Sequence, residues 1–227
     1  MKDFLKLEKE LGINFSDHAL FQKSLTHRSY INENPTAKEH NERLEFLGDA
    51  VLELIVTEYL FGNYKEPEGE LTSWRAALVN SEMLASVSSG LGLGDYLLLS
   101  RGEEKDLGRA RDYILANAFE AVLGAIYLDR GMKVAKKFVE NNILDKLEMV
   151  LEKGLHRDSK SLFQEKAQEK VNITPHYRVL EEWGPDHKKE FKIGVYLGDK
   201  MIAEAEGVSK AIAEKEAAKN ALIVKKW

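Results

Sequence analysis

Three carboxylates, Glu42, Glu45 and Asp49, stand at i, i+3 and i+7 in the segment Asn41-Glu42-Arg43-Leu44-Glu45-Phe46-Leu47-Gly48-Asp49-Ala50. At 100° per residue they fall within about 60° of arc on one helical face. Like charges so placed repel, and a helix built for stability alone avoids them. Leu44, Phe46, Leu47, Ala50, Val51 and Leu52 around them are apolar. Part of the acidic stripe therefore borders a core, where an uncompensated carboxylate is costly. A bound dication compensates it, and oxygen donors select Mg²⁺ or Mn²⁺ over zinc. Asn117 and Glu120 form a second set, i and i+3, within Ile114-Leu115-Ala116-Asn117-Ala118-Phe119-Glu120-Ala121. From spacing alone, a cation site and a solvated face with local ion pairs, such as Arg43 with a neighbouring Glu, fit both helices equally.

The elements that must position these groups are helices. Residues 1–152 read as helical almost throughout, with a first short helix carrying Leu5, Leu7 and Leu11. Ser16 is the expected N-cap before Ala19–Leu25. From about His40 to Phe61, Leu44, Leu47, Val51, Leu54, Ile55 and Tyr59 recur with helical period, which predicts one long helix with these residues on its apolar face. Pro67 and Gly69 precede a helix expected over 70–88, and Gly90, Gly92 and Gly94 mark a loop. Tyr113–Leu128 is a strongly apolar helix, and Val134–Leu151 an amphipathic one. No strand pattern or internal repeat is visible in this region.

Residues 153–157 read as a hinge, with Gly154 as the breaker. Beyond it the period changes. A helix over 159–170 precedes strand compositions at Tyr177–Trp183 and at Phe191, Ile193, Val195 and Leu197, which alternate strictly. Gly198-Asp199 suits a two-residue hairpin turn into Met201–Glu206. An Ala-rich helix over about 209–224 closes the chain. The predicted fold is thus an all-α domain over 1–152 followed by a small α+β domain, α-β-β-β-α, over 158–227.

Composition narrows the classes further. The 227 residues are 44% apolar and 31% charged, a balance that supports a buried core. No Cys is present, which excludes a disulfide framework, a thiol nucleophile and a thiolate metal site. Met1-Lys2-Asp3-Phe4-Leu5-Lys6 lacks the apolar core of a leader, and stretches such as Ala121–Leu128 are too short to span a bilayer. A cytoplasmic protein without membrane partners is expected. The net charge of −5 is unevenly spread: residues 1–157 carry 20 Lys/Arg against 26 Asp/Glu, and residues 158–227 carry 13 against 12. Any nucleic-acid contact must use local patches.

Asn41–Ala50 resembles the ribonuclease III signature at each of its ten positions. The resemblance extends through Leu25-Thr26-His27-Arg28-Ser29-Tyr30, Gly102-Glu103-Glu104 and Gly108-Arg109-Ala110-Arg111 to the helix around Glu120. It implies a divalent-metal-dependent endoribonuclease that hydrolyses double-stranded RNA to 5′-phosphate and 3′-hydroxyl ends in RNA processing, with no small-molecule cofactor. Glu45, Asp49, Asn117 and Glu120 would hold Mg²⁺, with Mn²⁺ able to substitute, and Glu42 would lie at the site's edge; Asp49 and Glu120 would be catalytic. The metal would favour a water-derived nucleophile and offset charge on the phosphorane-like transition state. By the same resemblance Phe46, on the carboxylate side of the helical wheel, would plug a pocket in a second subunit. A two-fold homodimer would then line one cleft with two acidic sites, each cutting one strand.

The chain departs from the family at Asn117, where Asp is usual. An amide carbonyl still ligates, with one charge less and no ability to accept a proton. An RNA-binding scaffold of ribonuclease III fold with impaired cleavage is the alternative this substitution raises. Leu107 and Tyr113 stand where Gly and Ser are more usual.

Residues 158–227 resemble a double-stranded-RNA-binding domain along their length. Gln164 and Glu165, in Lys160-Ser161-Leu162-Phe163-Gln164-Glu165, and His187, in Gly184-Pro185-Asp186-His187, would reach the minor groove. Ser209, Lys210 and Lys215 at the last helix would hold phosphates across the major groove. Ala211 replaces a second Lys, which removes one phosphate contact.

Overall fold

Capping side chains and buried stripes set the elements of the computed structural model, which describes residues 2–34, 36–105, 109–185 and 189–227. The chain divides into two compact units, Met1–His156 and Arg157–Trp227. The first contains α1 (Phe4–Leu11), α2 (His18–Ser24), α3 (Arg28–Glu33), α4 (Glu42–Asn63), α5 (Glu68–Val79), α6 (Ser81–Gly90), α7 (Leu93–Tyr96), α8 (Arg109–Arg130), α9 (Met132–Asn142) and α10 (Leu147–Glu152). Among the described residues, no helix is long and apolar enough to cross a membrane.

Several boundaries differ from expectation for local reasons. The carboxylate of Asp17, not Ser16, caps α2 by accepting from Leu20 N at 2.9 Å. Ser16 N instead donates to Asp129 at 2.8 Å. The helix expected over 70–88 is two helices: Asn80 adopts an extended ψ of 158° and caps α6 by accepting from Met83 N at 2.9 Å. An amide that competes for backbone donors favours a cap over a helix interior. The amphipathic stretch over 134–151 also divides, into α9, a 3₁₀ turn at Leu144–Lys146 and α10. Its apolar period continues through the break, which hides it from a pattern argument. An isolated bridge pairs Thr26 with Leu98, where no strand was expected.

Helix α8 is the central rod of this unit. Ile114, Leu115, Ala116, Ala118, Phe119, Ala121, Val122, Leu123, Ala125 and Ile126 are all buried, so the helix is covered on nearly every side. It packs along α4, whose Leu44, Val51, Leu52, Ile55 and Val56 join the same core. Leu54 corrects the expected apolar face: it lies outside the core and is 57% exposed.

In the second unit, α11 (Ser159–Val171) precedes β1 (His176–Trp183), β2 (Glu190–Leu197) and β3 (Lys200–Gly207), and α12 (Lys210–Lys225) follows. The strands form an antiparallel sheet in the order β1-β2-β3, with β1 bulged between Val179 and Glu181. Gly198 turns the β2–β3 hairpin with φ of 59°, a conformation open to glycine at little cost. Phe163 and Ala167 of α11 meet Val195 and Leu197 of β2 and Ala217, Ala218 and Ala221 of α12 in one small core. The alanines let α12 lie close to the sheet, and Trp227 stacks on Phe163 with ring centroids 5.6 Å apart.

Candidate active site and RNA-binding surface

The two acidic sets come together where α4 passes α8. Glu45 is half-buried at the edge of the packed face, Asp49 is exposed, and Asn117 and Glu120 are half-buried on α8. Glu120 is pushed up to about 7, first by burial and then by the negative charges of Asp49 and Glu45. Glu45 is raised as well, by burial and by Glu42 and Asp49. Carboxylates from two helices thus repel one another across a partly desolvated gap, the condition that a dication relieves. Among the described residues, no group of three or more His, Asp or Glu side chains is gathered closely enough to hold a metal ion by itself. The donors on the two helices are hard oxygens, the kind that suit a divalent cation completed by water and substrate phosphate. Asn117 lies one turn before Glu120 on α8 and is half-buried.

Glu42 points to the edge of this set. It pairs with Arg28 at 3.7 Å and His40 at 3.7 Å, so its partner is not Arg43. Three segments distant in sequence meet at this end of α4. Asn41 N donates to Thr26 O at 2.9 Å, and His27 N donates to Leu98 O at 3.0 Å. Ser100 N donates to Ser29 Oγ at 3.0 Å, while Ser29 Oγ and His27 Nδ1 lie 2.8 Å apart. Burial lowers the His27 pKa against the opposing charges of Glu103 and Glu42. Asn41 itself is buried, and neither polar atom of its side chain has a protein partner.

Phe46 is 81% exposed, as the helical wheel predicts. It is not alone. Phe61 is 77% exposed, and with Leu54 it shares the same stripe of α4. At 100° per residue Phe46, Ala50, Leu54, Thr57 and Phe61 fall within about 80° of arc. That arithmetic on the sequence identifies the stripe; the expected apolar face obscured it by placing Leu54 inside. A groove of about 540 Å³ lies beside Phe61, lined by Leu60, Tyr64 and Leu71 among others.

In the second unit, Gln164 and Glu165 are exposed on α11, and Lys215 is exposed on α12. Ser209 caps α12 by accepting from Ile212 N at 3.3 Å, and the Lys210 ammonium lies 5.5 Å from the centre of the Phe191 ring. His187 and Leu107 lie outside the described residues. Lys160 was noted only as part of a motif. Its ammonium bonds Glu214 at 2.6 Å and lies over the Tyr177 ring, tying α11 to α12 and β1.

The comparisons with known proteins divide the chain as its two units do. Residues 17–147 match the model described as Ribonuclease-III-like, and residues 159–224 match the double-stranded RNA binding motif. Ribonuclease 3 of Nitratiruptor sp. is 44% identical over the whole chain and 98% of its own length. Ribonuclease 3 of Borreliella afzelii is 43% identical over 98% of the chain and 90% of its own length. A crystal structure of the nuclease domain of ribonuclease III from Campylobacter jejuni superposes with a TM-score of 0.57 at 44% identity, covering 63% of this chain and 95% of that one. A second structure of that domain (TM-score 0.56, 43% identity, 62% of this chain and 98% of that one) bears a title on flexibility in its region of dimer formation. Matches that span both units, with the acidic residues on the two helices that cross, place this chain in the ribonuclease III family.

Proposed function

We propose that the protein is an endoribonuclease that cleaves double-stranded RNA with a divalent cation, releasing 5′-phosphate and 3′-hydroxyl ends. The observation that carries this reading is the placement of Glu120 of α8 against Asp49 and Glu45 of α4, in a chain whose two units are similar to a ribonuclease III domain and a double-stranded-RNA-binding motif. Glu45, Asp49, Asn117 and Glu120 would hold Mg²⁺ or Mn²⁺. When bound, the cation supplies positive charge that favours a hydroxide nucleophile at neutral pH and offsets charge developing on the phosphate. The chain's own groups set the stage. Asp49, on the open side, faces incoming substrate. Glu120, raised by burial and by the charges of Asp49 and Glu45, is the carboxylate whose charge a cation would stabilise most.

The RNA is held by the second unit. Gln164, Glu165 and His187 would contact minor-groove hydroxyls, and Ser209, Lys210 and Lys215 the phosphates at the start of α12. Recognition of this kind reads A-form shape rather than sequence. A homodimer would complete the cleft. Two antiparallel copies of α4 related by a two-fold axis near Leu54 would set Phe46 of one beside the groove at the partner's Phe61, burying both exposed rings. Residues 153–157 would serve as the hinge between units, and a cytoplasmic location suits a substrate met in RNA processing.

The test is incubation of the purified protein with long double-stranded RNA. Mg²⁺-dependent cleavage lost in Glu120→Ala and Glu120→Lys is expected, and products formed in excess chelator would rule the metal reading out. Asn117→Asp should tighten divalent-metal binding about tenfold, the equivalent of roughly 1.4 kcal/mol. Its gain in cleavage should be largest at low Mg²⁺. Unchanged metal titration would remove Asn117 from the donor set.

A further inference from the structure

The carboxylates of α4 and α8 face one gap where the two helix backbones pass very close to each other, and two glycines sit at that crossing. A Cβ placed on Gly48 would lie 1.7 Å from Glu120 O and 3.0 Å from Gly124 N. A Cβ on Gly124 would lie 2.3 Å from Leu44 O and 3.2 Å from Gly48 N. Every one of these obstructing atoms is backbone, so no side-chain rotation relieves the overlap. By contrast, Gly62 of α4 and Gly69 of α5 have nothing within 4 Å of an added Cβ. Glycine weakens a helix interior relative to alanine, so its presence at both sides of one crossing calls for a local reason.

The placement of the two glycines supplies it. Gly48 lies between Glu45 and Asp49 on α4, and the atom its Cβ would strike is the carbonyl of Glu120. Gly124 lies one turn beyond Glu120 and two turns beyond Asn117 on α8, and its Cβ would strike the residue before Glu45. Gly48 is thus interleaved with the carboxylates of α4, Gly124 lies one turn past Glu120 on α8, and each abuts the backbone of the other helix beside the other donor set. We propose that Gly48 and Gly124 form a reciprocal notch whose role is to set the separation of the two carboxylate sets, making both glycines positioning residues for the divalent cation. The proposal rests on the metal reading given above.

A single added methyl group at the notch must push α4 and α8 apart, because neither backbone can yield in place. Divalent-cation oxygens tolerate little change in distance; Mg²⁺ in particular demands contacts near 2.0–2.1 Å. Spreading the helices therefore weakens metal binding before it abolishes the fold, whereas the surface on the second unit is untouched.

The experiment compares wild type, Gly124→Ala, and Leu78→Ala, a core truncation in α5 that lowers stability without altering the crossing. Mn²⁺ affinity is read from the paramagnetic resonance of free Mn²⁺, and double-stranded RNA affinity is measured in chelator. Gly124→Ala should bind Mn²⁺ at least about tenfold more weakly, with RNA affinity unchanged. Leu78→Ala should keep wild-type Mn²⁺ affinity. Should Gly124→Ala be too unstable to study, it is made with Gly69→Ala and Gly90→Ala, helical positions with open space around an added Cβ. Wild-type Mn²⁺ affinity in Gly124→Ala, or equal loss in Leu78→Ala, overturns the notch and leaves the metal reading intact. No Mn²⁺ binding by the wild type overturns both.

Discussion

At the scale of the residue, the site's chemistry depends on how one carboxyl is placed rather than on how many are present. Glu42 and Glu45 are three residues apart on one helix: Glu45 is raised by burial, and Glu42 pairs with Arg28 and His40. Glu45 and Glu120 each face two negative charges in addition, and Glu120 is raised further because it is the more enclosed of the two. A carboxyl whose folded-state pKa lies above its unfolded value stabilises the protein fully below the unfolded value and loses that contribution as pH rises through the folded one. In chelator, amide protection of α8 under urea should therefore fall as pH rises from about 4.5 to about 7. The shift would correspond to about 3 kcal/mol for a fully shielded group; partial solvent access reduces this to on the order of 1–2 kcal/mol. Glu120→Gln should flatten the profile. A profile that is flat in the wild type, or unchanged in that variant, contradicts the assigned environment.

At the scale of the element, α4 carries three functions on three faces. One face enters the core, the next holds the carboxylates, and the third exposes Phe46, Leu54 and Phe61. Two exposed aromatic rings on a helix otherwise anchored in a core form the surface that the proposed homodimer would cover. With the two-fold axis near Leu54, Phe46→Ala should weaken association by about 2–4 kcal/mol, the range of a buried aromatic anchor. Leu54→Asp should act more strongly, because it sets two like charges against each other at the axis. Light scattering at micromolar concentration is expected to give a dimer for wild type and monomers for both variants. A wild-type monomer, or dimers throughout, would refute the register.

At the scale of the whole molecule, cutting and holding are separated along the chain. The negative charge lies in residues 1–157, while residues 158–227 are close to neutral, with four of their 13 Lys/Arg on α12. A chain ending at Glu152 should stay cooperatively folded, since its core is complete without residue 157 onward, and should bind double-stranded RNA far more weakly. In the full chain, Ala211→Lys adds a cation in the first turn of α12 and should steepen the salt dependence of binding by roughly one unit. RNA affinity that does not change on truncation would move the binding surface to the first unit.

Much of this was written in the sequence. The i, i+3, i+7 spacing of Glu42, Glu45 and Asp49 needs only the helical period to share a face, and the switch from period 3.6 to period 2 after Gly154 separates two fold classes. Phe46 and Phe61 fall on the exposed stripe by the same arithmetic. Local chemistry was legible less well. Asp17 outcompetes Ser16 as a cap, and Asn80 breaks a helix whose apolar period runs on without interruption, because capping is decided by individual hydrogen bonds that periodicity does not see. What the sequence could not contain is the distance between elements. That Glu120 meets Asp49 and Glu45 and that Gly48 abuts the Glu120 carbonyl are both consequences of two helices crossing at one height and angle. Position along a helix is additive in residue number and can be counted. Position between helices follows from how whole side-chain surfaces interdigitate, and it is fixed only when the core closes.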